Sequence, residues 1–152
     1  MPLEILHRAA PCRNVPVTFT LDLAMQPVID YDPERSPDSR AWLALELKER
    51  VRLVETYQAR AGLQASAEEN PWMYVLVENQ NAQGVDHVRR AMDRLQTQGL
   101  SRYEAIRAIA LVMASFAFNS GAEGNGKRLE LNAAINALSA DAWRRGGNGR
   151  EV

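Results

Sequence analysis

Two connections of two residues each constrain this chain most. Gly84 and Val85 separate one helical pattern from the next, and Gly99 and Leu100 separate that one from a third. Helices joined so tightly have to double back on each other, so the stretch from Pro71 to Phe118 reads as three antiparallel neighbours. The last of the three carries the clearest start signal in the chain. Ser101 and Glu104 form a capping box, and Ile106, Ile109, Met113 and Phe116 follow at helical spacing. Leu100 and Ala105 bracket that box as a hydrophobic staple. The preceding helix, Asp86 to Gln98, points Val88, Met92 and Leu95 inward and is ended by Gly99.

The first of the three is ambiguous at its start, because Trp72, Met73, Tyr74, Val75, Leu76 and Val77 are apolar all round and suit a buried strand on propensity alone. Asn70 followed by Pro71 is a cap plus first-turn proline, and the polar continuation through Glu78, Asn79, Gln80 and Ala82 fits a helix of ordinary length. Helix is therefore the assignment. Upstream, Ser36 and Pro37 give the same start signal for a helix running to about Ala61, with Leu43, Leu47, Val51, Val54 and Tyr57 as its stripe, broadened by Trp42 and Leu45. Glu46 and Arg50 form a pair four residues apart on it, Gly62 ends it, and Leu63 to Glu69 is a linker. After glycines 121, 124 and 126 a final helix spans about Arg128 to Arg144, with Leu131, Ala134, Ile135 and Leu138 inward.

The N-terminal region follows a different period. Val15, Val17, Phe19, Leu21 and Leu23 alternate with Thr18, Thr20 and Asp22, the pattern of a half-buried strand, and Pro16 limits it to an edge or a strand start. Its partner is either residues 28–31, in a small hairpin, or another subunit. The expected fold is all-α: an antiparallel bundle of four to five helices over residues 36–145, with a short extended β element in an N-terminal segment, 1–35, and a glycine-rich disordered tail, 146–152. All of it forms a single domain, 1–152.

Composition narrows the function classes. In 152 residues the hydrophobic content is 46% and the formal net charge is -1, which provides no field for a polyanion or an acidic membrane. Arg89, Arg90, Arg94, Arg102 and Arg107 are interleaved with Asp86 and Asp93, the pattern of a solvated helix face and not of a nucleic-acid footprint. Cys12, the single cysteine, reads as a free thiol in a reducing compartment, and no apolar stretch suits a signal peptide or a membrane span. The expectation is a cytoplasmic protein without nucleic-acid or membrane partners. The unpaired edge of the alternating segment points to a homodimer.

Chemistry is sparse. A helical His-Glu-x-x-His holds zinc on one face beside a general base, and here Tyr103, Glu104 and Arg107 stand at those places. Tyrosine is a poor ligand at neutral pH and arginine is a permanent cation, so no metal and no cofactor are expected. What remains is a polar set, Glu78, Asn79 and Gln80 on one helix with Tyr103, Glu104 and Arg107 on another, and Gln58 on the first. It makes either a small-ligand pocket with paired carboxylates or a structural clasp in which Arg107 pairs with Glu78 or Glu104. The clasp is the reading taken, with Glu104 also serving as the capping partner of Ser101.

The order Trp42, Leu43, Glu49, Arg50, Leu53, Val54, Tyr57, then Val77, Glu78, Asn79, Gln80, then Arg94, Leu95, Gly99, Leu100, then Glu104, Ala105, Ile106, Ala108 and Ile109 resembles a bacterial family of unknown function. The resemblance covers Trp42 to Ala117. In that family a histidine follows the helix-ending tyrosine, others precede the Val-Glu-Asn-Gln run, and the last helix opens His-Glu-Ala-Ile-His. This chain has Gln58, no histidine between Asn70 and Val77, and Tyr103 and Arg107 instead, so the resemblance implies a histidine-depleted member. The functional expectation is a non-catalytic protein acting through protein contacts or self-association. The alternative is a small-ligand-binding or enzymatic domain derived from a metal-site ancestor.

Overall fold

A computed structural model describes residues 30–64, 66, 69–118 and 125–146. Every regular element among them is a helix: α1 (Ser39–Ala44), α2 (Leu47–Arg60), α3 (Pro71–Ala82), α4 (Asp86–Thr97), α5 (Arg102–Phe118), α6 (Asn125–Ala137) and α7 (Ala140–Gly146). The alternating segment at 15–23, most of its proposed return strand, and the tail beyond Gly146 lie outside the described residues. None of the helices is long and apolar enough to cross a membrane.

The three tight reversals form as their residues dictate. Gly62, Gly84 and Gly99 have φ of 69°, 71° and 93°, the left-handed conformation that side chains with a Cβ resist. Each sits just past a helix end, and the amide after it reaches back to the third-last helical carbonyl: Leu63 to Gln58 at 2.9 Å, Val85 to Gln80 at 2.9 Å, Leu100 to Leu95 at 3.1 Å. The starts are equally local. Asn70 Oδ1 accepts from the Trp72 amide, while the Ser101 amide donates to Glu104 Oε2 at 2.9 Å and the Glu104 amide donates to Ser101 Oγ at 3.2 Å.

Two expected helices are each broken in two, so the described residues hold seven helices where four or five were expected. The first starts at Asp38, whose carboxylate accepts from the Ala41 amide, and not at Ser36 and Pro37. It stops at Leu45 and Glu46, both extended, and α2 restarts with a Glu46 and Glu49 capping box. Arg50 holds the kink by donating Nε and Nη2 to the Leu45 carbonyl at 3.1 and 2.9 Å, so the pair expected with Glu46 is not the contact it makes. Leu47, expected on the stripe, opens α2 just past the kink and is 48% exposed. The last helix breaks at Leu138 and Ser139. Arg94 donates to the carbonyls of Ile135 and Leu138 at the end of α6, and Ser139 Oγ caps α7 through the Ala142 amide.

Helix α5 is central, packing on α3, α4 and α6, while α1 and α2 cover α3. The core at this junction is Trp42, Val54, Tyr74, Val77, Val88, Leu95, Ile106, Ile109 and Ile135, all fully buried. Apart from Tyr74 and Val77, these are positions that the helical period marks as inward, Trp42 among them as a residue that broadens the first stripe.

Candidate functional site

Helix α3 runs apolar through its first two turns and then meets α5 with a carboxylate. Glu78 is 1% exposed. A charge so buried needs partners, and Arg102 supplies them: Nη1 donates to Oε1 at 2.8 Å and Nη2 to Oε2 at 2.7 Å. The Tyr31 hydroxyl donates to Oε1 at 3.0 Å, and Arg102 Nη1 reaches the Pro33 carbonyl at 2.8 Å. Burial acts to lower the Arg102 guanidinium, but the hydrogen bond and charge of Glu78 outweigh it and hold it above its ordinary value. The planar fork thus joins α3, α5 and the 30–35 segment at one point.

A second centre is built on Glu69, just before the α3 cap. Its carboxylate accepts from the Tyr74 hydroxyl at 2.6 Å and from the Tyr103 hydroxyl at 3.2 and 3.3 Å, and Arg107 Nε lies 2.7 Å from Oε1. Gln58 Nε2 donates to the Glu69 carbonyl at 2.8 Å. The Arg107 guanidinium stands over the rings of Tyr103 and Trp143, 5.5 and 5.7 Å from their centroids. Asn79 makes a third junction, its Oδ1 accepting from Trp42 Nε1 at 2.9 Å and from Arg50 Nη1.

The expected polar set is therefore divided. Tyr103 and Arg107 meet at Glu69, a residue of the expected linker, and Arg107 does not make the expected pair with Glu78 or Glu104, whose carboxylates go to Arg102 and to the Ser101 amide. Glu78 takes Arg102, and Arg102 and Arg94 are internal anchors, not members of a solvated face. Glu104 caps α5. Gln80 points away from the others, into an apolar groove with Met73 and Leu76. Sequence reasoning missed Glu69, Arg102, Tyr31 and Tyr74. For Arg102 its place beside the capping box was an available signal, because the first residue of α5 faces whatever α3 presents.

Among the described residues, no group of three His, Cys, Asp or Glu side chains is placed to hold a metal ion. Both buried carboxylates spend their oxygens on internal donors, an arrangement that fastens helices together and leaves a poor general base. Compared with known proteins, the chain matches no family model, no curated protein and no solved structure.

The tyrosines around these carboxylates set the response to alkali. Burial first, and then the charge of Glu78, raises Tyr31 well above its usual value; burial and the hydrogen bond to Glu69 do the same to Tyr74. A folded pKa above the unfolded one means that the native state holds protons the unfolded chain releases. The stabilisation is complete below pH about 10 and is lost as pH climbs toward the folded values, by about 1.4 kcal/mol per pH unit for each fully buried tyrosine. Urea midpoints measured between pH 8 and pH 11 are expected to fall above pH about 10, and the fall is expected to be shallower in Tyr74→Phe.

Proposed function

We propose that this protein is a non-catalytic helical bundle that works through self-association, with the outer face of α3 as the pairing surface. The observation that carries the proposal is Trp72, 53% exposed, with Leu76 one turn further along the same helix at 37%. Tryptophan dominates contact energetics when it is buried between partners, and a two-fold pair sets the same apolar residues against each other. The commitment of Glu69 and Glu78 to internal donors supports a structural role for the polar residues.

Sedimentation velocity on the full chain is expected to show a dimer at high micromolar concentration. Trp72→Glu is expected to sediment as a monomer with its thermal midpoint within a few degrees of the parent, because the side chain lies outside the core. A parent protein that stays monomeric at that concentration overturns the proposal.

A further inference from the structure

A groove of about 280 Å³ lies where α3, α5 and α6 converge. Its apolar walls include Met73 and Leu76 of α3, Met113, Phe116 and Ala117 of α5, and Leu131 of α6; Gln80, Lys127 and Arg128 are its polar lining, and no acidic side chain among the described residues lines it. Neither cation has an ion-pair partner among the described residues. Both stand near the amino end of α6, where the helix dipole adds to their positive potential.

The volume selects among occupants. It sits at the lower edge of the range for small-molecule sites, about 300 Å³. Two methionine thioethers give walls that adapt to a flexible aliphatic chain. The paired cations need an anionic head, and carboxylate suits them through short charge-assisted hydrogen bonds.

We propose that this groove binds a single-chain, medium-length aliphatic carboxylate, with its chain against Met73, Met113, Phe116 and Leu131 and its head on Lys127 and Arg128. The site is independent of the pairing surface except for Leu76, which borders both. Occupation buries an apolar chain that water disfavours, while the head stays at the cationic mouth.

Calorimetric titration of the full chain with decanoate, decanol and decyltrimethylammonium tests the proposal. Decanoate is expected to bind saturably, one per chain, and at least tenfold more tightly than the other two. Lys127→Gln with Arg128→Gln is expected to weaken decanoate at least tenfold and to abolish its advantage over decanol, with the melting temperature kept because both residues lie at the surface. Ala117→Trp, which fills the groove from its exposed side, is expected to abolish binding. Trp72→Glu is expected to leave decanoate affinity unchanged, so failure of the dimer and failure of this site are read separately. The proposal is overturned by the absence of saturable binding at millimolar decanoate, by equal affinity for decanoate and decanol, or by binding that survives Ala117→Trp.

Discussion

Arg102→Ala is expected to destabilise the fold by about 3–5 kcal/mol, a large share of the 5–15 kcal/mol that holds a domain of this kind together. The effect exceeds the loss of a hydrogen bond because the Glu78 carboxyl stays behind, 1% exposed, without its bidentate partner and with the Tyr31 hydroxyl still donating to it. Arg102 also ties the Pro33 carbonyl to α5, so the 30–35 segment loosens together with the helix contact. Urea unfolding followed by far-ultraviolet circular dichroism measures the loss. Replacing both partners by apolar residues, Glu78→Leu with Arg102→Met, is expected to recover most of it, since the desolvated charge disappears with its counter-ion. The recovery is expected to be incomplete, because the Pro33 carbonyl still lacks Arg102 and the Tyr31 hydroxyl loses its acceptor once Glu78 is replaced.

Glu69→Ala is expected to cost about 3 kcal/mol. One carboxylate serves Tyr74, Tyr103 and Arg107, so its loss strips an acceptor from three donors on two helices at once. Glu69→Gln keeps the shape and one acceptor oxygen, so it is expected to fall between the parent and the alanine variant. Urea midpoints of the three proteins give the order. Loss of the carboxylate also removes one of the contacts that hold the Arg107 guanidinium over Trp143, and the near-ultraviolet dichroism of that ring is expected to change with it.

What the sequence disclosed and what it concealed divide along the range of the interactions. Caps and terminators act within a few residues, so Asn70, Ser101 with Glu104, and the glycines at 62, 84 and 99 could be read directly, and the reversals built on them stand where they were expected. The breaks at Leu45 and Leu138 depend on arginines that reach back to carbonyls, Arg50 from the next turn and Arg94 from another helix. An apolar stripe runs through both breaks without interruption, so periodicity alone joins the pieces. Glu69 shows the limit most clearly. Nothing adjacent separates it from Glu68; only the convergence of Tyr74, Tyr103 and Arg107 from two helices makes position 69 the buried acceptor. Pairing Arg107 with Glu78 or Glu104 follows from counting only helical acids, whereas the loop between α2 and α3 contributes the carboxylate that Arg107 meets.

The central claim is that Tyr103 and Arg107, at the places where a metal-binding helix has its imidazoles, serve as structural fasteners on Glu69. A double-mutant cycle in urea tests it: Glu69→Ala, Arg107→Ala and the two together. The account predicts strong non-additivity, a coupling of about 1–3 kcal/mol across the 2.7 Å contact. Two losses that simply add, to within about 0.3 kcal/mol, contradict it.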